Sequence, residues 1–397
     1  MAIRVPKGFL VAGVHCGLKR DLRKPDLTLV VSESPAVAVG VFTQNLVYAA
    51  PVALDRQRTP SDRIRAVVIN SGNANACTGQ RGLEDACEMA RLGAEAVGAE
   101  PDQALVLSTG VIGHYMPMDL IAQGIKLAAA QLGSDEDALV SAARGMMTTD
   151  TVHKLAGRTI SLRRREIQIT GMVKGAAMMG PNLATMLGLV MTDAALDAAT
   201  AKAALVEAVA DSFNCINVDG HTSTNDTVLL VANGEAGGGL LTGDDLAAFR
   251  RALGDLCAEL ARAIPADGEG ASHLITIEVE GCSSRDAALQ IARTIANSPL
   301  VKTAITGADP NWGRIVSAAG YAGVPFDPSE VTLHLNGHLL YKGGTPVDFD
   351  AKVVSDSIRH SRDTSIQLQL SEGSARGRFW TTDLTAEYVR LNADYHT

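Results

Sequence analysis

The sequence has no apolar run approaching the roughly 20 residues that a membrane-spanning helix needs. That excludes a helical membrane protein. Its 6 cysteines (Cys16, Cys77, Cys87, Cys215, Cys257 and Cys282) form no Cys-x-x-Cys pair, which excludes a zinc knuckle or redox dithiol of ordinary spacing. Reduced, mostly buried thiols are the expectation. No block of Lys and Arg forms a nucleic-acid footprint, and the net charge is −9. Smaller basic patches stay open. G-x-x-x-x-G-K-[ST], H-E-x-x-H and G-x-S-x-G are all absent, so the phosphate loop, the zinc-protease helix and the nucleophile elbow fall away. The 9 histidines are dispersed, with no spacing that places two on one helical face, so no local metal site and no cofactor is indicated, and a metal site built from distant residues stays open. There is no internal repeat and no low-complexity segment. The start, MAIRVPKGFLVAGVHCG, is too short and too interrupted for a secretory signal, and a cytoplasmic chain is expected.

What is present is an ordinary globular composition. The chain has 397 residues, 46% hydrophobic and 20% charged, ample for a sizeable core in two or three domains or one large α/β unit. Apolar, β-branched runs between turn residues predict strands at Leu27–Ser32, Ala36–Thr43, Ala66–Asn70, Ala104–Leu107, Thr159–Thr170, Met186–Met191, Thr227–Ala232 and Ile275–Val279. Helical spacing predicts helices over Gly82–Val97, Leu120–Leu132, Ala198–Ser212 and Ala287–Ala296. The Gly82–Val97 helix carries Leu83, Ala86, Ala90, Ala94 and Val97 on one face. Thr242 can cap a further helix carrying Leu246, Phe249, Leu253, Leu256 and Leu260. DPNWGR reads as a turn, Gly180-Pro181-Asn182 as a tight turn, and Gly234–Gly239 as a flexible loop. Helices and strands interleave without a strict βαβ rhythm, so the fold class is α+β, with mixed α/β layers.

Few residues stand out chemically from local sequence. His114 and His153 flank polar turns and read as solvated loop histidines. Lys174 sits among small residues that could admit a ligand, yet a lone lysine near a turn is ordinarily solvated, and no other pyridoxal-phosphate feature accompanies it. Thr185 follows the small Ala184 and the turn. A threonine hydroxyl is a poor nucleophile unless a base takes its proton. Its own α-amine, with a pKa of about 8, can do so if the residue becomes a chain start. An internal threonine becomes one when its hydroxyl attacks the preceding carbonyl and the ester hydrolyses. Ala-Thr is a common dipeptide, and an ordinary strand residue explains it equally well.

A set of strings in order along nearly the whole chain carries more: PKGFLVAGVHCGLK, VVINSGNANACTG, STGVIG, MMTTDT, MVKGAAMMGPNLATM, TSTNDTVLL, DGEGASH, NSPLVKTAITGADPNWGR and YVRLNADYHT. Together they resemble the glutamate N-acetyltransferase family, also called ornithine acetyltransferases. The resemblance implies an N-terminal-nucleophile-type enzyme that cuts itself between Ala184 and Thr185. Residues 1–184 would form an α chain and residues 185–397 a β chain. The two would stay associated, as α2β2. It implies Thr185 as nucleophile, Thr109 and Gly110 as the oxyanion-stabilising pair, and Thr148, Lys174, Thr185, Glu269, Asn392 and Thr397 as substrate contacts. The implied reaction moves an acetyl group from N-acetylornithine to glutamate through an acetyl-Thr185 ester, a step of arginine biosynthesis. Some members also acetylate glutamate from acetyl-CoA, and no motif here separates the two.

Three positions depart from the family strings. Ala177 stands where a glycine is usual, and would strain the backbone by about 1 kcal/mol or more if that position needs a positive φ. His221 replaces an acidic residue, and His273 replaces a lysine. Two rival readings follow: an N-terminal-threonine amidase or peptidase that uses water as acceptor, and an uncleaved, inactive paralogue.

Overall fold

The computed structural model describes residues 3–162, 165–178, 180 and 186–394. The first sheet is eight-stranded. Its strands are β1 (Phe9–Val14), β2 (Leu27–Phe42), β3 (Ser61–Asn73), β4 (Ala104–Val111), β5 (Lys154–Ser161), β6 (Glu166–Lys174), β7 (Leu187–Thr192) and β8 (Thr227–Ala232). They run in the order β4-β3-β2-β8-β7-β6-β5, with β1 beside β2. β3 with β4 and β7 with β8 are parallel, and the other neighbours are antiparallel. The second sheet holds β9 (Leu274–Cys282), β10 (Thr332–Leu335), β11 (His338–Lys342), β12 (Thr345–Pro346), β13 (Asp363–Gln369) and β14 (Ala375–Thr382). Its order is β12-β11-β10-β13-β9-β14.

Sequence pattern explains the different settings of the sheets. LGLVMT of β7 and TVLLVA of β8 are buried at every position, as expected for strands covered on both faces. Leu189 and Met191 face one core, and Val190 faces another. In β13 buried and exposed residues alternate, so one face meets solvent. The helix Gly243–Ala266 buries Phe249, Leu253, Leu256, Leu260 and Ile264 at helical spacing. It packs between β5 and β6 of the first sheet and β14 of the second, joining the layers. Thr242 occupies the N-cap position, but its side chain makes no cap hydrogen bond. Its carbonyl instead accepts from Leu246 N at 3.3 Å.

Several expectations are corrected. The two strands expected over residues 27–43 are one, β2, whose pairing with β3 is irregular between Val31 and Ala36. Pro35 lies there and has no N–H for the ladder, so the sequence reads as interrupted although the strand continues. The single strand expected over Thr159–Thr170 is the facing halves of the β5–β6 hairpin, in which Ser161 pairs with Glu166. The helix expected at Gly82–Val97 spans Gly79–Glu95, and Leu83 is exposed on it while Met89 is buried. DPNWGR is a turn only as far as Asn311, whose side chain caps the helix Trp312–Gly320 by accepting from Arg314 N. Only Cys215, Cys257 and Cys282 are buried; Cys77 and Cys87 are exposed. Pro181, Asn182, Ala184, Thr185 and Thr397 lie outside the described residues. Among the described residues no helix is long and apolar enough to cross a membrane, and no group of His, Cys, Asp and Glu could hold a metal.

Candidate active site

One end of the first sheet is polar and buried. β4 carries Thr109 and Gly110 there just before its last residue, β6 ends in Lys174, β7 begins just after Met186, and β8 begins just after Asn225 and Asp226. Gly110 has φ 136°, and a Cβ on it would lie 2.2 Å from the carbonyl carbon of Gly72 on the neighbouring strand. Only glycine fits that backbone and that spacing. Asn225 bridges the strands by donating to the carbonyls of Ala74 (2.7 Å) and Ser108 (2.8 Å).

A cleft of about 270 Å³ opens at this end. Thr109, Gly110, Thr148, Lys174, Glu269 and Asn392 all line it. They come from distant segments: strand ends, the Thr-rich turn after the helix Glu136–Gly145, the loop before β9, and the helix Ala386–Asp394. That helix is no frayed tail at Asn392. Thr385 Oγ1 donates to Gly270 O at 2.6 Å and accepts from Tyr388 N at 3.1 Å, tying the helix start to the 267–273 loop. Gly270, at φ 64°, lets the helix close in, since a Cβ there would lie 2.5 Å from Tyr388 N. Asn392 Nδ2 then donates to Glu269 Oε2 at 3.0 Å.

Lys174 is not a solvated turn lysine. It is 3% exposed, and its ammonium donates to Thr109 Oγ1 at 3.1 Å. Burial pulls its pKa below the ordinary lysine value, against the opposing pull of Asp150. Because Thr109 Oγ1 accepts from Lys174, its own hydroxyl hydrogen is left to point at another acceptor. A ligand oxygen in the cleft can take it. Burial pushes the Asp150 carboxyl up, but Lys154 and Lys174 outweigh this and hold it at about 2. Asp150 accepts from Gly175 N at 2.6 Å and from Thr148 N at 3.0 Å, which fixes the backbone on both sides of the cleft.

Sequence reasoning missed several residues that frame the cleft. Lys154 bonds Asp150 at 2.8 Å and Asp267 at 2.6 Å, both buried. Asp267 also accepts from Thr151 N at 3.0 Å. Asp219 accepts from Met178 N at 2.7 Å and from the Tyr388 hydroxyl at 3.1 Å. Asp226, fully buried, accepts from Met186 N at 3.1 Å, and burial raises its pKa well above the ordinary carboxylate range. Asp150, Asp226 and Asp267 stand inside MMTTDT, TSTNDT and DGEG, so the strings pointed at their neighbourhood without giving their partners.

The departures are placed as follows. Ala177 lines the cleft and does not have the positive φ at issue; Met178 beside it does, at 57°. His221 also lines the cleft. His273 does not: it is 7% exposed, with Nδ1 3.0 Å from Asp383 Oδ2 and Nε2 3.2 Å from Ile358 O. His114 is exposed and His153 half-buried, and neither lines the cleft.

The sequence matches the ArgJ family over residues 10–397. It is 43% identical to the arginine biosynthesis bifunctional protein ArgJ of Rhodopirellula baltica, over 99% of this chain and 96% of that protein. It is 45% identical to the protein of the same description from Symbiobacterium thermophilum, over 100% of this chain and 98% of that one. Among solved structures, the arginine biosynthesis bifunctional protein argJ of Bacillus halodurans is 39% identical with a TM-score of 0.51, covering 52% of this chain and 98% of that chain.

Proposed function

The chain belongs to the ArgJ family, and on that premise we propose that it is a self-processed acetyltransferase of arginine biosynthesis whose nucleophile is Thr185. It moves an acetyl group from N-acetylornithine to glutamate, and acetyl-CoA serves as a second donor. The observation that carries the reading is the hydrogen bond from Lys174 to Thr109, which leaves both groups with donors to offer the cleft.

In this reading the freed α-amine of Thr185 takes the proton of its own hydroxyl as the oxygen attacks the acetyl carbonyl. The Gly110 N–H and the Thr109 hydroxyl stabilise the tetrahedral oxyanion; one such donor is typically worth about 3 kcal/mol. Thr109 donates the more strongly because a buried cation polarises its oxygen. Lys174 keeps further N–H groups for a substrate carboxylate. Glu269, oriented by Asn392, takes the ammonium of the amino-acid substrate, and Thr148 contributes from the opposite turn. The ornithine amine leaves with the proton, and the glutamate amine then displaces the Thr185 oxygen. Thr397 is the remaining contact of this reading.

Cleavage between Ala184 and Thr185 would cut a chain without cutting a domain. β7 and β8, on the later side, pair along their lengths with β6 and β2, on the earlier side. Such α and β chains stay together through one sheet, and assembly as α2β2 is part of the proposal. The Bacillus halodurans chain corresponds to only about half of this one, as a relative split into two similar chains would.

The test is donor and acceptor kinetics on the purified protein and on Thr185→Ala. Glutamate-dependent release of ornithine from N-acetylornithine, absent in the variant, is expected. Release of free acetate unaffected by glutamate would favour a hydrolase instead.

A further inference from the structure

Met186 is the first described residue after the break proposed between Ala184 and Thr185. Its backbone is held on both sides. Its N–H donates to Asp226 Oδ1 at 3.1 Å, and its carbonyl accepts from Thr227 N at 3.1 Å. Asp226 is itself fixed. Its side chain is fully buried, and its carbonyl accepts from Thr43 N at 2.8 Å. A carboxyl group therefore stands against the peptide N–H that follows Thr185.

That carboxyl group has an oxygen to spare. Asp226 Oδ2 has no hydrogen-bond partner among the described residues. Both oxygens of a carboxylate are acceptors, and burying one of them unfilled is costly. Lys174, at the end of β6, acts on Asp226 through its charge, but its ammonium donates to Thr109 Oγ1. Thr43 and Ser223 face Asp226 as neutral groups, and the Thr43 hydroxyl donates to Ser223 O at 2.7 Å. An orphan oxygen is not by itself a site. Asp55 Oδ2 is equally unpartnered, yet Asp55 Oδ1 accepts from Val106 N inside β4, where no bond is proposed to break. Asp226 differs in what it stands beside.

Self-cleavage creates a partner for this oxygen. Before the break the Thr185 nitrogen is an amide, with no basic lone pair. After it the nitrogen is an α-amine, one residue along the chain from the N–H that Asp226 holds. We infer that Asp226 is a positioning residue for this amine: Oδ1 holds Met186, and Oδ2 accepts a hydrogen bond from the amine and turns its lone pair to the Thr185 hydroxyl. This inference rests on the reading of Thr185 as acetyl carrier. As the hydroxyl oxygen bonds the acetyl carbon, its proton passes to the amine, which becomes an ammonium. Asp226 is then the counter-charge of that ammonium, in a cleft that already holds the Lys174 ammonium. On collapse the carbon–nitrogen bond of the donor breaks, and the ammonium returns the proton to the departing ornithine amine. Asp226 gains and loses no proton over the cycle.

The experiment is the pH profile of kcat/KM for N-acetylornithine in the unaltered protein and in Asp226→Asn. The variant keeps an oxygen for Met186 N and removes the charge. Its kcat/KM is expected to fall about tenfold at the optimum. Its acidic limb, set by loss of a proton from the Thr185 ammonium, is expected to move down by about one unit or more, because an ammonium without its counter-charge releases its proton more readily. A fall in activity with the limb unmoved is what a merely structural role gives, and overturns the inference. A folded variant that stays uncut assigns Asp226 to the scission and overturns it as well. If Asp226→Asn does not fold, the unaltered protein decides. With threonine labelled with nitrogen-15, the Thr185 α-amine followed by NMR should titrate at or above about 8, the ordinary α-amine value. Titration more than about one unit below that value, as for an amine facing cations alone, overturns the inference. Absence of acetyl from Thr185 in the unaltered protein overturns the underlying reading instead.

Discussion

Lys154 and Lys174 stand side by side at one end of the β5–β6 hairpin, where Lys154 pairs with Val173, and each is 3% exposed. Their surroundings differ. Lys154 is held by two buried carboxylates, Asp150 and Asp267. Lys174 has a single hydroxyl, that of Thr109, as its hydrogen-bond partner among the described residues. A buried ammonium with its donors satisfied is architecture. It ties the start of β5 to the Thr-rich turn and to the loop that carries Glu269. A buried ammonium with donors to spare is costly to the fold unless a ligand completes it. The contrast separates the lysine that builds the cleft from the one that serves it.

The comparison can be broken at either lysine. Lys154→Met should be the larger blow to stability, about 3–5 kcal/mol by denaturant unfolding, because it leaves Asp150 and Asp267 buried without their cation. Lys174→Met should act on the reaction: kcat/KM for N-acetylornithine should fall about a hundredfold, while stability changes by about 1 kcal/mol or less. If Lys174→Met unfolds the protein and Lys154→Met spares it, the assignment is reversed. In the unaltered protein kcat/KM should decline on the alkaline side below the ordinary lysine value of 10.5, since burial lowers the Lys174 pKa and the carboxylate needs the protonated form. Thr109→Val should keep the fold and lower kcat by about a hundredfold or more, the usual loss for an oxyanion donor.

Much of the cleft was legible because its residues lie in short strings: Thr109 and Gly110 at a strand end, Lys174 at the end of β6, Glu269 in DGEG. Their partners were not. Lys154 meets Asp267, and Tyr388 meets Asp219, only once sheets and helices have closed, and no local pattern announces such pairs. The burial of Lys174 was misjudged for the same reason. Its immediate neighbours look like a turn, and what covers it comes from β4 and from the loops around Asp150 and Asp226. The extent of β2 was obscured by Pro35, a residue whose effect depends on whether the ladder needs its N–H. Ala177 strains the backbone only if its position needs a positive φ, and the left-handed position falls on Met178 instead.

A smaller effect concerns His273, where the family strings carry lysine. Its hydrogen bond to Asp383 raises its pKa above 6.5. The stability it contributes is fully present below 6.5 and is lost as pH rises through the raised folded value. Asp383, burial notwithstanding, is held below 3.8 by the same pair and by Ser272, so its share is present above 3.8 and lost as pH falls through the lowered value. Thermal stability should therefore decline as pH rises from 6.5 through the raised His273 value, and His273→Lys should flatten that decline.

The central claim is that Thr185 is both the first residue of a chain and the acetyl carrier. Intact-mass spectrometry of the purified protein, before and after addition of N-acetylornithine without glutamate, tests it most directly. The account predicts two fragments that divide between Ala184 and Thr185, with one acetyl group added to the later fragment at Thr185 and removed again by glutamate. A single uncut mass near 41.5 kDa, or a cut protein that turns over without ever carrying acetyl at Thr185, would contradict it.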